Sequence, residues 1–133
     1  TLYKDAGEAP LYFLSYAQTA DAGKGQWNHT VWRSLNKQFP VPIGKWMTLD
    51  YEFIEGDANQ GRFFLAVTPD EGERVIVFDV HNYTHPDDKN PDGLAEFNPL
   101  KLYTDASIIN FLGARGKMLQ MYWDDLQLIG ASH

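Results

Sequence analysis

The chain has 133 residues, a formal net charge of −7 and no cysteine. Its length fits one domain spanning residues 1–133, and a hydrophobic content of 44% supplies enough apolar side chains for a core. The absence of cysteine excludes a disulfide framework, a thiolate metal site and a thiol nucleophile. The basic residues are scattered among 18 acidic ones, so we expect no nucleic-acid partner. No segment approaches the roughly 20 apolar residues of a membrane span.

Alternating apolar and polar residues predict strands along most of the chain. The first is LYFLSYA at 11–17, and the segment QWNHTVWRS at 26–34 is extended as well. In WMTLDYEFIE at 46–55, apolar and acidic side chains alternate, as expected for an antiparallel strand with one wet face. Turns at 56–61 and 69–73 lead first to RFFLAVT and then to RVIVFDV. The continuous apolar run of RVIVFDV predicts a central strand.

The second half of the chain changes character after His81. A loop with three prolines runs to Pro99, and loops of this length are often functional. The segment TDASIINFLGARG then predicts one short helix near 106–113, with Thr104 or Asp105 as its cap and Gly113 or Gly116 at its end. Alternation returns in KMLQMYWDDLQLIG at 117–130 and predicts a closing strand. The sequence therefore predicts an antiparallel two-sheet β-sandwich of jelly-roll type with one short helix.

The segment 26–34 carries an unusual set of binding side chains. If it is extended, strict alternation puts Trp27, His29 and Arg33 on one face. Asn28 and Trp32 then lie on the other. A flat aromatic ring meets the apolar C–H face of a sugar, and amide or guanidinium donors satisfy its hydroxyls. The alternative is that one indole fills the core and the other packs under a loop.

A second set of polar and aromatic residues begins the long loop, in the sequence HNYTH at 81–85. Tyr83 and His85 stand where a strand runs into a loop at the rim of a sheet, and sites of β-sheet proteins are often built there. We therefore predict them as further ligand-binding residues. The alternative is an ordinary polar loop.

Carboxylates in two places suggest a structural calcium ion. In DKNPDG, Asp88, Asn90 and Asp92 alternate before a turn glycine, as oxygen ligands do at the start of a calcium-binding loop. The glutamate that such a loop carries six residues after its glycine is missing. Asp124 and Asp125 form the second pair. The pair Asp50 and Glu52 is typical of the wet face of a strand rather than of a glycosidase site.

Three segments resemble bacterial polysaccharide-associated domains of the concanavalin A-like lectin and glucanase type: GKWMTLDYEFIEGDANQGRFFLAVTPDEGERVIVFDV, NPLKLYT and LQMYWDDLQL. The resemblance implies a non-catalytic carbohydrate-binding module, attached to a glycoside hydrolase or polysaccharide lyase within a larger protein. It also implies a secreted, periplasmic or cell-surface location and a polysaccharide or oligosaccharide partner. Some such domains hold a structural calcium near the last strand, here at Asp124 and Asp125.

Two other functions remain open at this stage. In a polysaccharide lyase, Arg33 would neutralise a uronate carboxylate, and His29, Tyr83 or His85 would act as the base. A glycoside hydrolase is the related alternative, although the Glu-Asp-Glu catalytic strand of the sandwich glucanases is absent. In a protein-interaction domain of the laminin-G kind, the aromatic residues would meet a partner protein.

Overall fold

The computed structural model describes residues 1–8, 10–21, 26–85 and 104–130, with the backbone alone at residues 20, 21 and 26–28. The strands of the first sheet are β1 (Leu2–Lys4), β2 (Leu11–Asp21) and β3 (Gln26–Pro40), in that order. The second sheet contains β4 (Met47–Ile54), β5 (Arg62–Pro69) and β6 (Val75–His81), also in chain order. All these strand pairs are antiparallel. The predicted all-β architecture of two antiparallel sheets is confirmed.

The strand at the centre of the second sheet is β5, because it pairs with β4 on one side and with β6 on the other. Its residues Phe64, Leu65, Ala66 and Val67 are all buried. Within the described strands, the prediction that RVIVFDV forms the central strand is therefore wrong. There β6 pairs with β5 alone, and its residues Ile76, Asp79 and His81 are exposed.

The main hydrophobic core lies between the two sheets. Phe13 of β2 packs with Leu65, Val67, Val77 and Phe78 of the second sheet. A smaller cluster joins Leu2, Leu11 and Ile108. Val41 packs against both clusters, so the two are contiguous through the segment that links β3 to β4.

The single helix among the described residues is α1 (Ala106–Gly113), as predicted. Asp105 caps its start, since the carboxylate accepts a hydrogen bond of 2.7 Å from the backbone N–H of Ser107. The chain leaves the helix through Gly116, whose φ of 64° is in the left-handed region that favours glycine. Ile108 is fully buried and fixes the helix to β1 and β2.

The closing strand predicted at 117–130 is wrong. Residues 117–130 have no regular secondary structure, and none of them pairs with a strand in the described part of the chain. The alternation breaks at Asp125, whose φ of 50° is outside the extended region. Alternation alone cannot make a strand, because a strand also needs an edge to pair with.

The described part of the chain contains no helix with the length and hydropathy that a membrane span requires.

Candidate binding site

A row of aromatic rings crosses from the first sheet to the second. Trp32 of β3 lies 6.1 Å from Phe63 of β5, measured between ring centroids. Phe63 in turn lies 6.4 Å from Tyr51 of β4 and 6.4 Å from Phe78 of β6. We call Trp32, Phe63 and Tyr51 the aromatic row. Its spacings are typical of packed aromatic pairs, so each ring supports the next.

The β4 end of the aromatic row is open. Tyr51 is 45% exposed and its neighbour on the same face, Phe53, is 37% exposed, whereas Phe78, which packs on Phe63 from β6, is buried. Although nearly half of Tyr51 is exposed, burial of its phenol raises the pKa of the side chain. The hydroxyl therefore stays protonated at neutral pH and can donate a hydrogen bond.

Trp32 is held by the segment that follows β6. Its indole Nε1 donates a hydrogen bond of 2.8 Å to the carbonyl oxygen of Tyr83. The Tyr83 ring meets the ring of His85 edge to face, with 5.9 Å between centroids. The structure thus brings together three of the predicted ligand-binding residues, Trp32, Tyr83 and His85.

The segment carrying Tyr83 is fixed to the β4–β5 turn through two glycines. The N–H of Thr84 donates to the Gly56 carbonyl at 3.0 Å, and the N–H of Asn82 donates to the Gly61 carbonyl at 3.1 Å. The Thr84 hydroxyl also donates to the carbonyl of Ile54 at 2.7 Å. A Cβ on Gly61 would overlap the Asn82 carbonyl oxygen, so this close approach of two backbones requires glycine.

A bulge in β3 changes the predicted faces of the segment 26–34. Trp32 pairs with Ala17 and Thr30 pairs with Gln18, so Val31 is an extra residue in the ladder. An extra residue shifts the alternation by one. His29 therefore lies on the side of Trp32, and the prediction that His29 and Arg33 share a face is wrong.

Arg33 lies on the other face of the first sheet. It pairs with Tyr16, and its guanidinium is 5.7 Å from the ring centroid of Tyr3. These residues line an open cleft of about 430 Å³, together with Asp105 and Ser107 at the start of α1. Arg33 and His29, one of the pairs that the lyase hypothesis offers, are thus on opposite sides of the sheet.

Several predicted ligand-binding and metal-binding residues are not placed at the aromatic row by the structure. The side chains of Trp27 and Asn28 lie outside the described residues, as do Asp88, Asn90 and Asp92. Asp124 and Asp125 lie in the exposed segment after α1. No group of three or more His, Cys, Asp or Glu side chains suited to a metal ion forms within the described residues.

The acidic residues of β4 are engaged in ion pairs on the outer face of the second sheet. Asp50 accepts from Arg74 at 3.1 Å, and Glu52 accepts from Arg62 at 2.9 Å. Arg62 also contacts Asp79 of β6 at 2.7 Å. This arrangement agrees with their interpretation as the wet face of a strand.

The sequence interpretation missed the contribution of β4 and β5 to the aromatic row. Alternation puts Tyr51 and Phe53 opposite the wet face of their strand, and Phe63 lies in the predicted return strand of the hairpin. The sequence did contain one indication. β4 is the first strand of its sheet in chain order, which is compatible with an edge position and incomplete cover of its side chains.

Comparison of the chain with family models, with curated proteins and with solved structures gave no match.

Proposed function

We propose that this chain is a non-catalytic carbohydrate-binding module that holds a saccharide against the aromatic row. The observation that carries the proposal is the open end of the row, where Tyr51 and Phe53 are exposed beside the supported ring of Phe63. Large apolar rings are normally covered in a folded domain, and an uncovered contiguous group marks an interaction surface.

Saccharide chemistry fits this surface. The C–H face of a pyranose packs on a flat ring, and the ring of Tyr51 also brings a protonated hydroxyl. His29 and Trp32 lie on the same side of β3. They place an imidazole and an indole at the other end of the row. Ring stacking and hydroxyl hydrogen bonds carry no formal charge, so affinity for a neutral glycan should change little with salt.

The proposed module is of the concanavalin A-like sandwich type, in keeping with the motifs noted in the sequence. We further propose that it acts outside the cytoplasm, in a secreted, periplasmic or cell-surface protein, next to a polysaccharide-degrading domain. Two antiparallel sheets around one core support this proposal at the level of architecture alone.

Replacement of Tyr51 and Phe53 by alanine tests the site. Because stacked aromatic side chains are dominant anchors, the double variant should lose at least about tenfold in glycan affinity while remaining folded. Tyr16→Ala is the matched control, since Tyr16 is 39% exposed but pairs with Arg33 on the other sheet.

The measurement is retardation on native gels that contain each of several polysaccharides, after a glycan array has identified candidates. Circular dichroism establishes that each variant is folded. Equal retardation of the parent and the double variant would place the saccharide elsewhere. Failure of the parent to bind any glycan would reject the proposed function.

A further inference from the structure

The segment 118–129, which we call the arm, exposes an unusual amount of apolar surface. Ile129 is 91% exposed and Tyr122 is 71% exposed. The arm's exposed large hydrophobic residues are Met118, Met121, Tyr122, Trp123, Leu126, Leu128 and Ile129. A contiguous apolar stretch of this kind is a binding surface for another protein surface or an aggregation hazard.

The arm has the composition of a strand but no strand partner. Apolar side chains alternate from Leu119 to Trp123, and Asp124 and Asp125 interrupt the alternation. Within the described residues, no backbone hydrogen bond joins 118–130 to either sheet. No described strand therefore uses the backbone donors and acceptors of the arm, and a sheet edge would satisfy them.

Within the described residues, β4 has an edge that no other strand pairs with. The edge of β6 lies against β3, since the Asn36 side chain donates to the Val77 carbonyl at 2.9 Å. The edge of β1 is bridged to Thr104. Among the described strands, β4 pairs with β5 alone. Tyr51 and Phe53, which lie on β4 itself, are exposed.

The base of the arm is fixed to its own chain. The N–H of Lys117 donates to the Leu112 carbonyl at 2.9 Å, and Leu119 packs against the cluster of Leu2, Leu11 and Ile108. Beyond Leu119 every described residue is exposed, and none joins either core cluster. A second copy of the chain offers the same open edge and carries the same arm.

We propose that two copies of this chain exchange their arms, each arm adding a strand to the β4 edge of the other copy. Such an exchange is reciprocal and closes with twofold symmetry, so it forms a dimer rather than a fibre. Residues 118–123 supply six positions against the eight of β4. Their apolar side chains extend the face that carries Met47, Leu49, Tyr51 and Phe53.

The exchange is compatible with the proposed binding site without depending on it. Side chains stand perpendicular to a sheet, whereas a new strand adds in the plane of the sheet. The arm therefore lies beside β4 and leaves the ring faces of Tyr51 and Phe53 accessible.

Light scattering coupled to size exclusion gives the first measurement. The parent chain should have twice the 15.2 kDa mass of one chain at micromolar concentration. The variant Met121→Lys/Trp123→Lys should be monomeric, because the arm then carries charge where it meets the apolar face. Ile109→Lys, which introduces the same charge at an exposed isoleucine on α1, should remain dimeric.

Cross-linking distinguishes exchange from pairing within one chain. The chain has no cysteine, so Gln120→Cys and Thr48→Cys can be placed in two differently tagged copies and joined with a bis-maleimide. A cross-linked heterodimer is expected. A monomeric parent, or a Gln120→Cys/Thr48→Cys double variant that cross-links only within single chains, would overturn the exchange. Glycan binding is a separate measurement, so either proposal can fail without the other.

Discussion

Trp32 illustrates how one side chain joins three elements. Its ring packs against Phe63 of β5, its position is set by the bulge in β3, and its Nε1 donates to the carbonyl of Tyr83 after β6. The sequence predicted Trp32 as a binding residue because polar and aromatic residues surround it in the segment 26–34. It did not reveal which neighbours share its side, because the extra residue at Val31 leaves no compositional mark.

Substitution of Trp32 should separate packing from hydrogen bonding. Trp32→Phe retains most of the ring contact with Phe63 but removes the bond to Tyr83, so it should lower the free energy of unfolding by about 1 kcal/mol. Trp32→Ala removes both contacts and should cost about 3 kcal/mol, the lower end for a large aromatic since Trp32 is only half-buried.

Urea denaturation followed by circular dichroism measures both variants. If the two substitutions destabilise the protein equally, the indole contributes only through its hydrogen bond. The sequence also favours Trp27, on the predicted face of His29 and Arg33, as the indole that stacks on the glycan; this stays a prediction, and Trp27→Ala in the polysaccharide gel assay tests it.

Helix α1 docks on the sheets mainly through its fully buried residue Ile108, and Leu112 packs beside it. Ile108→Ala should lower the free energy of unfolding by about 2–5 kcal/mol, because Ile108 is fully buried among Leu2 and Leu11. Ile109→Ala, one residue further along the same helix and 48% exposed, should stay within about 0.5 kcal/mol of the parent. Urea denaturation of both variants is the measurement, and equal effects would contradict the assigned docking face.

A charged ladder ties the three strands of the second sheet together on its outer face. Arg62 of β5 contacts both Glu52 of β4 and Asp79 of β6. The bond from Arg62 holds the pKa of Asp79 below its ordinary value of 3.8. The bond from Ser107 has the same effect on the pKa of the helix cap Asp105.

These depressed pKa values predict a loss of stability in acid. A carboxyl whose pKa is lower in the folded than in the unfolded chain stabilises the fold above the unfolded pKa. That contribution is lost as the pH falls below 3.8 and through the folded pKa. Asp79→Asn should therefore be less stable than the parent at pH 7, and the difference should shrink toward pH 3. Denaturation at a series of pH values measures it, and a difference independent of pH would reject the ion pair as its cause.

The sequence predicted the elements better than their arrangement. The strands at β2, β3, β4, β5 and β6, both turns of the second sheet, and the helix with its Asp105 cap all follow from local periodicity and capping chemistry. The short strand β1 was missed because its three residues are too few for a periodicity. The central place of β5 and the unpaired arm depend on which strands meet, and local periodicity does not contain that information.

The candidate site likewise contains residues that the sequence predicted and residues that it did not predict. Their residue types predicted Trp32, Tyr83 and His85 as ligand-binding residues, and the fold brings these three together. Arg33 was separated from His29 by the bulge at Val31. Tyr51 and Phe63 joined the site only through pairing of β4 with β5 and the packing of the two sheets.

At the scale of the whole molecule, calcium dependence remains to be measured. The prediction concerns Asp88, Asn90 and Asp92, together with Asp124 and Asp125 after α1. If a calcium ion binds the folded chain alone, excess calcium must raise the thermal midpoint and EDTA must lower it. Asp88→Asn/Asp92→Asn should remove the response, whereas Asp50→Asn, which affects only an outer-face ion pair, should retain it. A midpoint insensitive to both additives in the parent would refute the calcium site.

The bulge at Val31 also has an evolutionary consequence. Loss of the Val31 codon would restore regular pairing at this break, with Trp32 still opposite Ala17 and Thr30 still opposite Gln18. His29 and Trp32 would then stand two positions apart, so they would stay on one face while Arg33 stays on the other. Descendants of this sequence are therefore expected to tolerate loss of the extra residue without a change in the side chains that each face displays.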